Sequence, residues 1–451
     1  MQKMPERSIV QTITSTRLKV LIVIAGLATA ALLPGCAAAS KEAPLTPQQR
    51  QLNIESFDYV WTTVQEKYWD PQLGGLDWLA LRNELRPQVE QAASMSESRG
   101  IMNDMISRLG VSHFAVIPAE VYDVIGPPTS EGAQDGATGI DVRVIDGQAL
   151  VTAVVARSPA DQAGVRPGWI ITRVGDTDIA AKLALLAREF EGKRYEDLVY
   201  ATAVQGRLAG SIGDSVAVQF LDGDDQVVER EITLAKKRGW KAQVGHLPPL
   251  QVWIDTDLLE GNIGYIAFNH FLDPAHVMPV FNDAMRSFMD ADGIVVDVRG
   301  NGGGIGGMAM GMAGWFVADK SRYLGTVYLR DNELKLIVFP RAKTYAGPVA
   351  ILADGLSASA AEFFAGGLQD LERACIVGSR TAGAALPSMV EKLPNGDGFQ
   401  YVFANYVSAG GEVLEGAGVR PDIEVKPTRA ALLDGRDLML EAAIAWIREQ
   451  K

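Results

Sequence analysis

Residues 348–364 read Pro348-Val-Ala-Ile-Leu-Ala-Asp-Gly-Leu-Ser-Ala-Ser-Ala-Ala-Glu-Phe-Phe364. The first half is a near-continuous apolar run, typical of a strand that is covered on both faces. The run ends at glycine and serine, and the capping-box pattern from Ser359 to Glu362 predicts a helix that ends at Asp370. A second apolar run, Gly293-Ile-Val-Val-Asp-Val-Arg299, has the same character. Alternating strands and helices of this kind predict an α/β core.

Ser359 has a catalytic interpretation beside the structural one. A serine on a sharp strand-to-helix turn projects its hydroxyl out of the sheet, and the helix N-terminal amides beside it suit a developing oxyanion. Taken alone, the segment favours the capping role. A serine hydroxyl is also a poor nucleophile without a base. Whether this serine is catalytic therefore depends on residues elsewhere in the chain.

The segment 356–364 resembles the nucleophile segment of the C-terminal processing (tail-specific) proteases. In that family a lysine about two dozen residues downstream activates the serine, and its position falls on Ala384 here. The loop Asp297-Val-Arg-Gly-Asn-Gly-Gly-Gly304 resembles the oxyanion loop of the same family. The resemblance implies oxyanion donors at Ala360 and at one of two glycines, Gly302 or Gly303, between which the sequence does not choose.

A candidate base lies far upstream, in a second resemblance. Met105-Ile-Ser-Arg-Leu-Gly-Val-Ser-His-Phe114 is similar to the motif of the tricorn-like branch, which lacks the lysine. This resemblance implies that His113 is the base, that Ser112 is its neighbour, and that Glu415 of Glu415-Gly-Ala-Gly-Val-Arg-Pro-Asp422 completes a tetrad. A carboxylate that acts directly or through Ser112 can orient and stabilise the imidazole. Glu412 is a nearby competitor for that role.

Two further regions precede the core. Residues 51–125 show the three- and four-residue apolar spacing of helices, as at Phe57, Val60, Trp61 and Val64 and at Leu79, Leu81, Leu85 and Val89. Residues 136–238 alternate in the manner of short strands, and Ser158-Pro-Ala with Ala163-Gly-Val resembles a PDZ signature. PDZ domains bind extended peptides and hold the terminal carboxylate in a loop of backbone amides. The resemblance assigns that loop to Thr138, Gly139, Ile140 and Asp141.

The N-terminus predicts export. Basic residues precede an apolar run that is short for a membrane span and ends at Cys36, as in a lipoprotein signal over residues 1–36. Cys36 would be lipidated after cleavage, and residues 37–50 would tether the protein to the periplasmic face of a bacterial membrane. Ordinary cleavage after Ala39 is the alternative. The net charge of −13 argues against a nucleic-acid partner.

The glycine loop also permits a rival interpretation. Gly302-Gly-Gly-Ile-Gly-Gly307 satisfies the dinucleotide-binding pattern after a strand, but a lone match is weak in a chain with 46 glycines. Export also counts against a nucleotide, and the resemblance implies neither cofactor nor metal.

Together, these patterns predict a multidomain α/β protein. It would have a helical N-terminal region, a PDZ-like β domain, a core of the ClpP/crotonase-like spiral type over residues 247–430, and a C-terminal helix over 431–451, with docking residues from Leu433 to Arg448. The predicted function is an exported serine endopeptidase that cleaves peptides or protein C-terminal tails. The alternative is an inactive homologue that binds a peptide or a small ligand.

Overall fold

The computed structural model describes residues 44–123, 135–190 and 192–450. Its first part is helical, as the apolar spacing predicts, and Thr46 caps the first helix by accepting a hydrogen bond from the Gln49 amide at 3.2 Å. Leu79 departs from the prediction: Leu81 and Leu85 are buried, whereas Leu79 is 57% exposed. Two residues along a helix correspond to about 200° of rotation, so Leu79 faces solvent when Leu81 faces the core. The elements of this part are α1 (Pro47–Lys67), a 3-10 turn (Leu73–Gly75), α2 (Trp78–Gln91), α3 (Met95–Ser107), β1 (Ala115–Ile117) and α4 (Ala119–Asp123).

The next part is a small antiparallel β domain. Its main sheet has the order β3-β4-β5-β8-β9, and β2 pairs with β7 and β10 in a second, short sheet. Inward-facing residues such as Val142, Val151 and Phe220 form its buried core, against which the helices pack. The elements are β2 (Gly136–Ala137), β3 (Ile140–Ile145), β4 (Gln148–Val154), α5 (Pro159–Gln162), β5 (Ile170–Val174), β6 (Thr177–Asp178), α6 (Ile179–Glu189), α7 (Glu196–Arg207), β7 (Ala209–Gly210), β8 (Ser215–Leu221), β9 (Val227–Thr233) and β10 (Ala235–Lys236).

The remainder is a three-layer α/β core. Its elements are β11 (Trp240–Ala242), β12 (Leu250–Val252), β13 (Ile254–Leu259), β14 (Ile263–Phe268), α8 (Pro274–Ser287), β15 (Gly293–Asp297), α9 (Gly306–Ala313), β16 (Tyr323–Leu329), β17 (Glu333–Ile337), β18 (Val349–Ala353), α10 (Ala360–Asp370), β19 (Cys375–Gly378), β20 (Ser388–Lys392), β21 (Gly398–Val402), β22 (Ala404–Ser408), β23 (Ile423–Glu424), α11 (Arg429–Leu433) and α12 (Leu438–Glu449).

The central sheet of this core has the order β13-β14-β15-β18-β19-β23 and is parallel except for β13. The two apolar runs predicted as strands are its neighbours β15 and β18. Ile351 of β18 packs among residues of α8, α9 and α10, while Leu352 packs against α12. Both faces of the sheet are therefore covered, which explains the near-continuous apolar runs.

The C-terminal helix is shorter than predicted. The docking pattern places it from Leu433, but α11 ends at Leu433 and α12 begins only at Leu438. Gly435 interrupts the helix with a φ of 71°, and the Asp437 side chain then accepts a hydrogen bond from the Leu440 amide at 3.1 Å. Within the described ranges, no helix combines the length and the apolar composition needed to cross a membrane.

Candidate active site

Ser359 lies on the turn between β18 and α10. Its backbone has a φ of 53° and a ψ of −115°, a conformation that costs a non-glycine residue roughly 1–3 kcal/mol. The turn is held from below, because the Ser357 hydroxyl donates to the Val298 carbonyl at 2.7 Å and accepts from the Asp354 amide at 3.0 Å. Among the residues that the structure describes, none is hydrogen-bonded to the buried Ser359 Oγ. The turn thus presents a free hydroxyl at the carboxyl end of a central strand.

The glycine loop after β15 lies directly against this serine. A Cβ atom added to Gly303 would come within 2.8 Å of the Ser359 Cβ and 3.0 Å of the Ala360 nitrogen, so only glycine fits there. A Cβ at Gly304 would come within 2.3 Å of the Phe271 carbonyl oxygen. The close approach that requires glycine at residue 303 is thus made to the serine turn itself, as expected of an oxyanion loop.

The predicted oxyanion donors differ in availability. The Ala360 amide, in the first turn of α10, donates to no acceptor within the described part of the chain. The Gly303 amide donates to the Asn301 side chain at 2.9 Å, and the Gly302 amide donates to the Asn269 carbonyl at 3.3 Å. Only the helix amide is therefore open to an incoming oxygen in this conformation.

His113 belongs to a hydrogen-bonded chain with Ser112 and Glu415. The Ser112 amide and hydroxyl donate to the two Glu415 carboxylate oxygens at 2.8 and 2.9 Å, although these residues are 303 positions apart in the sequence. The Ser112 Oγ lies 2.5 Å from His113 Nδ1. Because the single hydroxyl hydrogen of Ser112 goes to Glu415, Nδ1 must carry the hydrogen of the second bond. The lone pair of this imidazole is then on Nε2.

Burial determines the charge of this group. It lowers the pKa of His113 to about 3, so that the imidazole is neutral near neutral pH, as a general base must be. Burial also raises the pKa of Glu415, against the opposing effect of the hydrogen bonds that it accepts from Ser112 and Ala385. His113 Nε2 is buried and has no partner among the described residues. Like Ser359, His113 has a positive φ, of 63°.

One short segment joins the histidine side of the site to the serine side. The Ala385 amide donates to Glu415 at 2.9 Å, and the carbonyl of the preceding residue, Ala384, accepts the Ser359 amide at 2.8 Å. The strand β1, immediately after His113, pairs with β21 of the core. Ser359 is thus bound directly to Ala384, and His113 is linked to the next residue, Ala385, through Ser112 and Glu415. No hydrogen bond joins the Ser359 Oγ to the His113 Nε2 in this conformation.

Glu362 is a functional candidate for which the sequence pattern predicts only a role in capping the helix α10. Its buried carboxylate accepts hydrogen bonds from the Ser359 amide at 2.9 Å, the Thr381 hydroxyl at 2.7 Å, the Gly383 amide at 2.8 Å and the Ala384 amide at 3.1 Å. Burial raises its pKa to about 7, against the effect of these donors. The capping-box pattern predicts the contact between Glu362 and the Ser359 amide. No sequence pattern predicts the contacts between Glu362 and residues 381–384, which only the folded chain brings together.

Ala384, where the resemblance predicts that the family lysine is missing, is part of an apolar contact. With Ala358 and Ala382 it forms a small buried cluster, against which Tyr195 and Leu198 of the β domain pack. The β domain therefore covers the strand-end region that carries Ser359. A lysine side chain could not replace this methyl group without displacing that contact.

Arg143 connects the same domain to the catalytic loops. Its Nε donates to the Asp354 carboxylate at 2.6 Å, and the other Asp354 oxygen accepts the amides of Gly300 and Leu356 at 2.9 and 3.0 Å. The attraction of Arg143 and the donated amides outweigh burial and lower the pKa of Asp354. One buried carboxylate thereby holds the glycine loop, the serine turn and the β domain together.

The remaining predicted site residues are not gathered at this centre. In the proposed carboxylate loop, the Thr138 amide donates to the Leu208 carbonyl at 3.3 Å, and the Ile140 amide donates to the Thr138 hydroxyl at 3.3 Å. Gly139 has a φ of 83°, and Ile140 and Asp141 are already paired with β4. Cys36 lies outside the described residues. Within the described ranges, no group of three or more His, Cys, Asp or Glu side chains could hold a metal ion.

Comparisons with known families and curated proteins relate this chain to serine peptidases. Residues 262–425 match the family described as peptidase family S41, and residues 53–107 match the tricorn protease C1 domain. The chain is 27% identical over 415 residues to the putative tricorn protease homolog 2 of Streptomyces coelicolor, a match that covers 86% of this chain and 32% of that protein. It is 24% identical over 405 residues to the carboxyl-terminal-processing protease of Synechocystis sp., covering 88% of this chain and 86% of that protein.

Two solved structures share the fold. The photosystem II D1 C-terminal processing protease superposes with a TM-score of 0.55 at 21% identity, covering 85% of this chain and 94% of that one. Mature CPAF complexed with lactacystin superposes with a TM-score of 0.59 at 14% identity, covering 89% and 98%. The chain spans about a third of the tricorn homologue, at 32% of its length, and most of the length of these smaller relatives.

Proposed function

Since residues 262–425 form a domain of peptidase family S41, we propose that this protein is a serine endopeptidase with Ser359 as nucleophile and His113 as base. The observation that carries the proposal is the Glu415–Ser112–His113 chain, which ends in an unpaired Nε2 and is anchored beside the equally unpaired Ser359 hydroxyl. This arrangement supplies a base by a route that does not need the lysine missing at Ala384.

The proposed reaction proceeds through an acyl-enzyme. Ser359 Oγ attacks the carbonyl carbon of the scissile peptide bond while His113 Nε2 takes the hydroxyl proton. The tetrahedral intermediate collapses, and the proton moves from His113 to the leaving amine as the C–N bond breaks. A water molecule, deprotonated by His113, then attacks the ester and releases the acid and the free serine. Glu415, acting through Ser112, stabilises the imidazolium that forms in each half-reaction.

The oxyanion would be bound by backbone amides. The Ala360 amide is open in the structure, and Gly303 is the closer glycine candidate because its Cα lies against Ser359. The Gly303 amide must release Asn301, which it binds at 2.9 Å, before it can donate to substrate. Turning this one peptide group would complete the oxyanion hole.

The β domain is proposed to be PDZ-like and to bind substrate tails. Its antiparallel sheet and the position of α7 against β3 are consistent with peptide capture beside that strand. We further propose export through the N-terminal signal, with a lipid anchor at Cys36 on the periplasmic face. The α/β core is proposed to be of the ClpP/crotonase-like type.

A second candidate function is peptide binding without turnover. The observation in its favour is that Ser359 and His113 are both buried, with 0% and 3% exposure, and do not contact each other through a hydrogen bond. A substrate would reach the buried serine only after a movement of the surrounding residues, among them Tyr195 and Leu198, which pack against the neighbouring Ala358. An inactive homologue would have no need of that movement.

Labelling with a fluorophosphonate probe separates the two candidates. The probe forms a covalent bond only with an activated serine, so we expect the full chain to be labelled and Ser359→Ala to remain unlabelled. His113→Ala should lose labelling as well, whereas His276→Ala, at an exposed helix start, should retain it. Equal labelling of Ser359→Ala and the parent would exclude the assignment of the nucleophile. Absence of labelling in the parent, with peptide binding intact, would favour the binding protein.

A further inference from the structure

A large cavity lies between the β domain and the core. Its volume is about 980 Å³, and its lining includes residues of β3, the start of α7 and the loops at the carboxyl ends of β15 and β18. Gly355 and Leu356, on the turn that leads to Ser359, are part of the wall. A peptide that approaches the serine turn from the side of the β domain would pass through this space.

Most of the charged groups that line the cavity are paired with each other. Arg143 binds Asp354 at 2.6 Å, and Arg299 binds Asp297 and Asp437 at 2.6 and 2.8 Å. These pairs leave little net charge to attract a ligand. Among the described residues, the lining groups without an ion pair are Asp141, Asp146 and Glu196 and, on the wall that follows β19 and precedes β23, Arg380 and Arg420.

Arg194, from the loop before α7, lies against this wall, so that three arginines are close together there: Arg194, Arg380 and Arg420. No carboxylate of the described residues makes an ion pair with Arg380 or Arg420, and the buried Nε of Arg380 has no hydrogen-bond partner there. Arg194 donates to the Arg380 and Thr381 carbonyls at 3.5 and 3.3 Å, and its contact with Asp197 is long, at 3.6 Å. The cluster, which we call the arginine wall, holds several guanidinium N–H groups without an acceptor.

The electrostatics of the arginine wall favour an anion. Burial, followed by the nearby charges of Arg420 and Arg194, lowers the pKa of Arg380. Like charges held close together repel each other, and an anion placed among them would relieve that repulsion. Guanidinium groups bind carboxylates through paired, charge-assisted hydrogen bonds, which are among the stronger polar contacts in proteins.

The arginine wall is connected to the serine by a short path. The Thr381 amide donates to the Val419 carbonyl at 3.1 Å, which places Arg380 and Arg420 on adjoining segments. The Thr381 hydroxyl donates to Glu362, which in turn accepts the Ser359 amide. A ligand at the wall would therefore contact residues adjacent to the support of the nucleophile.

We propose that the arginine wall binds a carboxylate of the peptide substrate, and so makes the cavity a subsite for substrates with a free C-terminus. This inference rests on the proposed peptidase function. It differs from capture in the loop at residues 138–141, where the Thr138 and Ile140 amides are already bound to protein oxygens. In the arginine wall, by contrast, donors and charge are both available.

The test measures binding by the full chain with Ser359→Ala, so that no probe is hydrolysed. The probes are fluorescein-labelled (Gly-Ala)4 with a free C-terminal carboxylate and the same peptide with a C-terminal amide, followed by fluorescence anisotropy at low salt. We expect the free acid to bind at least roughly 10-fold more tightly than the amide, the effect of a charge-assisted contact. The ratio should fall below about 2-fold in Arg380→Gln/Arg420→Gln.

Two variants keep this test decisive. Arg420→Gln alone changes an exposed side chain without an ion pair, so it should fold normally, and it should still reduce the ratio. Arg286→Gln removes the same charge from α8, outside the cavity, and should leave the ratio unchanged. Equal binding of the two peptides by the parent, or an undiminished ratio in the double variant, would overturn the proposal. Because binding needs no turnover, failure of the peptidase assignment would appear separately, in the labelling experiment.

Discussion

Ser359 and His113 both hold strained backbone conformations, with φ values of 53° and 63°. Each costs roughly 1–3 kcal/mol and persists only where the surroundings enforce it. Around Ser359 the enforcing contacts come from Glu362, Asn301 and Ala384; around His113 they come from Glu415 through Ser112. The two residues on which the proposed chemistry depends are thus fixed by contacts rather than by local preference.

Glu415 should matter for turnover far more than its neighbour Glu412. In Glu415→Gln the amide group cannot accept from both Ser112 groups and Ala385, and it cannot stabilise the imidazolium. We expect kcat to fall by roughly 10²–10⁴-fold. Glu412→Gln, at an exposed position, should stay within about 2-fold of the parent under the same hydrolysis assay. Similar losses in both variants would mean that the sequence spacing had identified the wrong carboxylate.

Glu362 should give the pH profile an acidic limb. With its pKa raised to about 7, the carboxyl group takes up a proton below neutrality and can no longer accept from all four donors. Activity, measured as kcat/KM, should therefore fall as pH drops below about 7, whereas His113, with a pKa of about 3, stays neutral in that range. Glu362→Gln should be less active at pH 8 by roughly 10-fold, because it leaves a donor unpaired, and should lose this limb. If Glu362→Gln keeps an acidic fall in kcat/KM with the same midpoint pH, that fall belongs to another ionisable group.

Protonation of Glu362 should lower the activity but raise the free energy of unfolding. Its pKa in the folded state lies above the value of 4.5 expected in the unfolded chain, so folding favours the protonated form. Its contribution to the free energy of unfolding is fully present below pH 4.5 and is lost as pH rises through about 7. Urea denaturation of the parent and of Glu362→Gln at pH 5 and pH 8 would show this difference directly.

At the scale of elements, apolar patterns in the sequence predict those strands and helices whose position depends only on burial. The runs that became β15 and β18 are buried on both faces, so their apolar character was sufficient evidence. Leu79 and the start of α12 were predicted wrongly, because a leucine contributes to an apparent pattern whichever face it occupies and a single glycine can interrupt a helix. The alignment of β1 with β21 had no sequence signal, since strand pairing between distant segments depends on side chains that only the folded chain brings together.

The Arg143–Asp354 pair should be important for both stability and activity. Arg143→Gln leaves Asp354 buried with two amides but no counter-charge, which should lower the free energy of unfolding by roughly 3 kcal/mol. The loosened carboxylate should also reduce kcat, because it positions the glycine loop. Arg173→Gln, on an exposed face of the same β domain, is the matched control and should change unfolding by less than about 0.5 kcal/mol. If both variants unfold alike in urea, the ion pair is not the connection that we describe.

At the scale of the whole molecule, the candidate site is assembled from three parts of the chain. The N-terminal region supplies the histidine, the core supplies the serine and glutamate, and the β domain packs beside the serine turn. Sequence resemblance implies which residues form the candidate site, but it gives no indication that α11 also fastens the β domain to the core. Arg429 there donates to the Gly168 carbonyl at 3.1 Å and to Asp225 at 2.6 Å, and Leu432 packs against Leu150.

Removing this attachment should uncouple the domains. In Arg429→Ala/Leu432→Ala we expect the β domain to melt separately, so that calorimetry shows two transitions where the parent shows one. The loss of a buried leucine should cost roughly 2–5 kcal/mol in docking energy. Arg448→Ala, near the end of α12 and exposed, should melt as the parent does. A single unshifted transition in the double variant would show that other contacts hold the domain.

The hydrogen-bonded chain from Ser112 to Glu415 also has a consequence for biosynthesis. The ribosome makes His113 before Ser359 and Ser359 before Glu415, so a nascent chain that has not reached residue 415 lacks the carboxylate of this hydrogen-bonded group. A chain that stops before residue 415 would contain the serine and the histidine and still lack the group that orients the base. We therefore expect premature termination products that end before residue 415 to lack the proposed peptidase activity.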